Sequence, residues 1–250
     1  ILISILGIMV GVASLISVIS IFNGFQELTE KQIVGFDPHI RVYFDEKDDD
    51  FADSAAEEMK NSITEINTAV PIMSGRCIAV KENKMQVFTV FSLDSSKLNE
   101  AISLDMPMVF GDFSISGTPD LPGVLLGAGI ADKLDVIPGD TIFLMSPSMI
   151  ERSIRTYRKT NGIKTYVQGI YQTNINDFDL NHSFLELSAG KRLFGKYGNI
   201  TQSIDIRLGS LDEASYVSKK IEKKFPSVIR IDTWRELNED LFNVMEFERI

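Results

Sequence analysis

The polarity of the chain changes sharply at Asn23. Ile1 to Phe22 reads ILISILGIMVGVASLISVISIF, apolar on every helical face, and the first charge is Glu27. At a rise of about 1.5 Å per residue, a helix of this length just crosses the roughly 30 Å hydrocarbon core of a bilayer. Helices of soluble domains normally keep a polar face over such a distance. The run therefore predicts a membrane span. It carries neither the basic flank nor the small-residue cleavage site of a secretory signal, so a retained helix is expected, in a chain that opens on Ile as a fragment or processed product does. Gly7 and Gly11 give GxxxG spacing, which admits a second helix or simply reflects the glycine content of membrane helices.

Beyond Asn23 the pattern is that of a folded, water-soluble domain. Phe25, Leu28, Gln32 and Ile33 extend the first helix until Gly35 and Asp37-Pro38 stop it. Ile40–Phe44 alternates as a strand, and the acidic run from Asp45 to Asp50 predicts a solvated turn, because it lacks the register of a calcium loop. Asp53 to Ile66 places Ala55, Met59, Ile63 and Ile66 on one helical face. Val70–Val80 and Met85–Phe91, parted by Glu82 and Asn83, predict a hairpin.

A dense scatter of Gly and Pro from Pro107 to Pro147 then signals turns between short strands. Strands are expected at Val124–Leu126, Thr141–Met145, Ile163–Tyr171 and Ser183–Leu187, with helices at Ala128–Leu134 and Ser188–Phe194. The tail returns to β-α-β: Ser203–Leu208, a helix from Leu211 to Phe225, and Val228–Ile231. Thr233 and Glu236 form a capping box for a last helix, Trp234 to Ile250, with Leu237, Leu241, Val244, Met245 and Phe247 on its apolar face. Two α/β pieces flanking a β-rich insert predict an α+β fold, one split domain with a second inserted into it.

Composition narrows the chemistry. Lys and Arg number 25 against 35 Asp and Glu, a net charge of -10, which excludes a nucleic-acid partner. Cys77 stands alone, so no internal disulfide or thiolate-rich zinc site is expected, and His39 and His182 leave little room for imidazole chemistry. No phosphate loop, GxSxG or HExxH is present; GAGIAD at Gly127 lacks the third glycine of a dinucleotide loop. No catalytic residue, metal ligand or cofactor of this chain is predicted. The polar cluster Asn176, Asp177, Asp179, Asn181 and His182 suits a turn better than an acid-base or metal site.

Ser146 to Lys164 stands apart. It is long for a connection between strands and basic within an acidic protein, with Arg152, Arg155, Arg158, Lys159 and Lys164 interleaved with Met149, Ile150, Ile154 and Tyr157. It reads either as a docking loop for an acidic partner or as a solvated hairpin extension.

The runs SLISVISIFNGFQ (Ser14 to Gln26) and LLGAGIADKLDVIPGDTIFL (Leu125 to Leu144), then Gly169, Asp179 and HSF (His182 to Phe184), and finally ITQSIDIRL leading to Trp234, resemble in order the permeases of the lipoprotein-releasing ABC transporter. These form the LolC/LolE family of the FtsX/MacB-like superfamily. The resemblance implies a MacB-like periplasmic core domain with a split α/β porter subdomain, 35–100 and 201–232, and an inserted β-rich sabre subdomain, 101–200. Membrane helix 1 with its periplasmic extension would be 1–34, and membrane helix 2 would begin within 233–250. It implies a location in the inner membrane with most of the chain in the periplasm, and no enzyme activity of its own. Its implied partners are a separate ABC ATPase subunit, a second permease subunit in a homo- or heterodimer, a lipoprotein substrate and a LolA-like periplasmic chaperone. Ile19, Phe22, Phe25, Leu241 and Met245 would line the lipid site, the bland reading being ordinary lipid contact or helix packing. The loop would be the chaperone-docking hook, touching it through Pro147, Ile150, Ile154 and Tyr157 with Arg152 and Arg155 steering. The alternative function is an FtsX/MacB-type permease exporting a peptide, drug or other lipid.

Overall fold

The computed structural model describes residues 2–44, 49–102, 106–156, 162–173, 175–195 and 200–239, with backbone alone at residues 2, 23, 25–36 and 49–50. The chain divides into two units, Ile1–Asp37 and Pro38–Ile250. The first is one uninterrupted helix, α1 (Leu2–Phe36). Among the described residues, its stretch Ile3–Phe22 is long and apolar enough to cross a membrane. Ser17 does not interrupt it, because its hydroxyl donates to the Ala13 carbonyl one turn back, at 2.8 Å.

The second unit is an α+β domain. In chain order its elements are β1 (Ile40–Phe44), α2 (Asp49–Ser62), β2 (Ile66–Lys81), β3 (Lys84–Leu93), α3 (Leu98–Ala101), β4 (Met108–Gly111), β5 (Gly123–Gly127), α4 (Ala128–Leu134), β6 (Thr141–Met145), α5 (Pro147–Thr156), β7 (Ile163–Tyr171), α6 (Asn176–Asn181), β8 (His182–Glu186), α7 (Leu187–Phe194), β9 (Thr201–Leu208), α8 (Ala214–Lys224), β10 (Val228–Thr233) and α9 (Trp234–Leu237). The strands form one ten-stranded sheet in the order β10-β1-β9-β2-β3-β8-β5-β7-β4, with β6 bridging β2 and β7. That bridge closes the ring β2-β3-β8-β5-β7-β6 into a barrel. Among the described residues, Lys84 to Phe88 of β3 run past the end of β8 and pair with β2 alone.

The long strand β2 is shared. Its first half pairs with β9 in an open sheet, Ile66 to Ser74 against Leu208 to Thr201. Its second half is a barrel stave, pairing with β3 from Met73 to Lys81 and with β6 from Ile78 to Val80. Pro71, which has no N–H to give, lies just before β3 joins.

Two cores follow. On the open sheet, α2 with Ile63 just beyond it, and α8, press Ala55, Met59, Ile63, Val217 and Ile221 onto Ile40, Val42, Ile204 and Ile206. The barrel is filled by Cys77, Ala79, Phe88, Val90, Leu126, Ile142, Leu144 and Val167, with Ile130 and Leu134 of α4 and Leu193 and Phe194 of α7. Gly75 lets α7 in: a Cβ there would stand 2.7 Å from the Phe194 ring. The opposite face of the open sheet sets buried Val70 and Ile72 beside charged groups. Arg41 on β1 donates twice to the buried Asp205 carboxylate on β9, both at 2.7 Å, and lies over the Phe91 ring of β3.

The predicted helix over Ala128–Leu134 and the strands Thr141–Met145 and Ile163–Tyr171 are found with those bounds. Two connections are helical instead. The predicted turn at Asn176 to Asn181 is α6, and the predicted loop after Ser146 is α5. The acidic run enters α2 at Asp49, and Asp45 to Lys47 and Asp48 lie outside the described residues. The last helix is described only as Trp234–Leu237; its capping box is present, and residues 240–250 lie outside the described part.

Candidate docking site

Helix α5 occupies the position of the basic loop. It forms because Ser146, its hydroxyl accepting from the Met149 N–H at 3.3 Å, stands immediately before Pro147. Serine at the cap and proline at the first helical position are a start signal, since proline's missing N–H is one the first turn cannot use. Glu151 and Arg155, one turn apart, pair at 2.5 Å. These signals lie in the sequence; the length and charge of the segment obscured them.

The helix has two faces. Met149 packs against the barrel core and Ser153 is half-buried. Pro147, Glu151, Arg152, Ile154 and Arg155 face solvent, with Ile154 70% exposed, and Ile150 is intermediate. Arg152 Nε donates to the Ser148 carbonyl at 3.3 Å. Pro147, Ile150, Ile154, Arg152 and Arg155 are thus brought together on one short, cationic, amphipathic helix. Tyr157 lies outside the described residues.

The expected lipid-site residues are placed in part. Ile19, 51% exposed, and Phe22, intermediate, lie on α1. Phe25 is in α1 by its backbone. Leu241 and Met245 lie outside the described residues.

The acidic cluster on α6 is spent on structure. Asp179, 5% exposed, accepts from the N–H and hydroxyl of Thr173, both at 2.8 Å. Asp177 accepts from the Asn181 amide at 2.8 Å. The His182 ring is stacked between Phe178, 4.2 Å away, and Phe91 at 5.2 Å. Tyr171 donates to the His182 carbonyl at 2.8 Å, and its burial drives its phenol pKa well above the ordinary value. Cys77 is buried in the barrel, and desolvation pushes its thiol well up, so it is no nucleophile. Among the described residues no three His, Cys, Asp or Glu side chains come together to hold a metal. A shallow groove lined by Ala52, Asp53, Pro71, Ile72, Met73, Leu187 and Gln202 has one carboxylate, and Asp53 is paired with Lys97 at 2.8 Å.

An α+β domain made of an open, helix-clad sheet running into a closed barrel, joined in sequence to a helix of membrane-crossing length, defines a membrane-tethered domain. The chain belongs to the MacB-like periplasmic core domain family, whose model matches residues 1–224. It is 22% identical over 255 residues to the lipoprotein-releasing system transmembrane protein LolC of Neisseria meningitidis serogroup B. That match covers 99% of this chain, and the chain spans 59% of the length of that relative. Its fold is similar to the extracellular domain of the noncanonic ABC-type transporter YknZ from Gram-positive bacteria, with a TM-score of 0.50 and 11% identity, over 79% of this chain and 99% of that one. The periplasmic region of MacB from Actinobacillus actinomycetemcomitans matches with a TM-score of 0.49 and 13% identity, over 84% of this chain and 96% of that one.

Proposed function

We propose that this chain is the first membrane helix and extracytoplasmic domain of an ABC transporter permease subunit that draws lipoproteins from the outer leaflet of the inner membrane and passes them to a periplasmic chaperone. The observation that carries this reading is the likeness to a lipoprotein-releasing LolC along 99% of the chain, from the span-length helix through the core domain. ATP is hydrolysed on a separate subunit, a second permease subunit completes the assembly, and the bulk of this chain lies in the periplasm. This chain contributes no cofactor.

The work is mechanical. Because α1 continues unbroken from its apolar span to Phe36, movement in the membrane reaches the start of the domain through a single rod. Ile19, Phe22 and Phe25, with Leu241 and Met245, form an apolar wall for acyl chains, each buried CH2 being worth about 0.8 kcal/mol. Helix α5 docks the LolA-like chaperone through Pro147, Ile150, Ile154 and Tyr157, with Arg152 and Arg155 drawing in its acidic side. The exposed apolar Ile154 among cations supports this role.

Reconstitution with the ATPase subunit in liposomes carrying a lipoprotein tests the reading. Release into the soluble phase is expected to require both ATP and the chaperone; ATP turnover without lipoprotein release would sink it. Replacing residues 147–164 by a short Gly-Ser turn is expected to abolish chaperone pull-down. A second reading, export of a peptide, drug or other lipid by an FtsX/MacB-type mechanism, is favoured by one observation: a regular helix stands where the hook loop was expected.

A further inference from the structure

Part of the barrel's outer surface is covered. The outward row Phe91–Phe184–Leu125, in register across β3, β8 and β5, is between 0% and 8% exposed. Phe178 of α6 and His182 at the start of β8 sheathe one side: His182 stacks on Phe91, and Phe178 on His182. The 108–116 segment closes over the other, approaching the backbone at Gly169 and Gly123.

At the β6-β2-β3 corner the same surface is less covered. Burial alternates along all three strands, so Ile142, Leu144, Cys77, Ala79 and Phe88 point inward while their neighbours point outward. The register lines those neighbours up in two rows, Phe143–Val80–Met85 and Met145–Ile78–Val87. Met85 is 65% exposed, Phe143 47% and Val87 45%, and Ile78, Val80 and Met145 between and beside them are half-buried. Isolated exposed apolar residues are ordinary, but a contiguous block across three strands marks a surface meant to be covered.

The edges of this block say what covers it. Arg76 continues the β2 column beyond Ile78, opposite Thr89, and Lys164 lies beside Phe143 on β7. Both are exposed, and neither has an ion pair among the described residues. Lys81 and Lys84 at the hairpin end are already matched by Asp140 and Asp135, and Glu82 occupies the turn. The block thus has an apolar centre and unmatched cations at two sides, in a chain of net charge -10. A second copy meeting it face to face would bring Arg76 and Lys164 against their own kind. An anionic lipid surface would be repelled by the remainder of the domain.

We propose that the outer face of the β6-β2-β3 corner docks a partner protein presenting an apolar centre ringed by carboxylates. This is a surface distinct from the exposed side of α5, and it stands whether or not α5 docks a chaperone. Charge complementarity at the two flanks fixes the partner's orientation, and the apolar rows supply the buried centre.

The test places a photo-reactive benzophenone side chain at Val87 of the full-length protein in cells. The expected result is an adduct with one acidic protein whose cross-linked peptide carries apolar residues flanked by Asp or Glu. The adduct falls at least tenfold with Arg76→Glu and Lys164→Glu combined, and about threefold with the milder pair R76Q and K164Q, which leaves the fold undisturbed. No adduct, an adduct with lipid or with a second copy of this chain, or one indifferent to both charge variants overturns the proposal. The same probe at Ile154 separates the two surfaces. Labelling there without labelling at Val87 leaves the reading of α5 standing and removes this one; the reverse pattern does the opposite.

Discussion

At the scale of single residues, His39 sits at the joint where the chain enters the domain. Its N–H donates to Ile206 O at 3.0 Å, its carbonyl accepts from the Trp234 N–H at 2.8 Å, and its Nδ1 accepts from the Leu208 N–H at 3.0 Å. One residue thus ties the start of β1 to the end of β9 and the start of α9. The Nδ1 bond requires a neutral ring. Burial first, and the Arg207 charge second, lower its pKa to about 4. An unfolded histidine titrates near 6.5, so between those values the unfolded chain binds the extra proton and stability rises with pH. The contribution is complete above about pH 6.5, declines as pH falls towards 4, and is gone below that. After discounting for solvent screening it amounts to about 2 kcal/mol. In His39→Asn the amide oxygen can still accept from Leu208 but does not titrate. Denaturant unfolding of that variant between pH 6.5 and 4 is expected to lose a pH dependence of this size relative to wild type; equal slopes would show that His39 does not titrate differently on folding.

At the scale of elements, what the sequence announced and what it concealed follow from the kind of signal. The helix at Ala128–Leu134 and the strands at Thr141–Met145 and Ile163–Tyr171 have clean periodicity between turn residues, and periodicity is local. Two helices were hidden by polar composition. In α6, Asn and Asp suggested a turn, but Asp179 turns inward to hold Thr173, and Phe178 anchors the segment against Tyr171. In α5 the Ser146-Pro147 start outweighs the run of cations that suggested a loop. A direct check is Ser146→Ala, which removes the cap at a cost of about 1 kcal/mol. Amide exchange across Ile150 to Thr156 is expected to quicken by about fivefold while exchange in β6 stays the same. Unchanged exchange in α5 would mean that Met149 packing alone holds the helix. The residues proposed for docking, Pro147, Ile150, Arg152, Ile154 and Arg155, stand out in the sequence by charge and apolarity, but their gathering on one helix does not. The apolar block at the barrel corner was invisible, because it depends on three strands lying in register, and register between distant strands leaves no trace in local pattern.

At the scale of the whole molecule, β2 belongs to both the open sheet and the barrel, and Arg41 reaches from β1 to Phe91 of β3. The two cores of the Pro38–Ile250 unit are therefore expected to unfold together. Trp234, the single tryptophan, packs against the core beneath α2 and α8, far in sequence from the barrel staves. Met59→Ala in that core and Leu126→Ala in the barrel each remove a fully buried side chain and should cost about 2–5 kcal/mol. Both are expected to lower the midpoint that Trp234 fluorescence reports. A Leu126→Ala protein whose circular dichroism melts early while its tryptophan signal keeps the wild-type midpoint would show two independent folding units instead.

The pairing of β1 has a kinetic consequence. Ile40 lies between Ile206 of β9 and Thr233 of β10, so the first strand to be synthesised has both partners at the far end of the domain. Closing such long loops is slow, because the entropy is lost before any long-range contact repays it. While the chain emerges, β1 and the first half of β2 wait with bare edges, and the barrel can close first, since all its staves lie between Ile66 and Glu186. The open sheet is then laid against a finished barrel. Its assembly is the step most exposed to aggregation, and the one most in need of a holding factor during biogenesis.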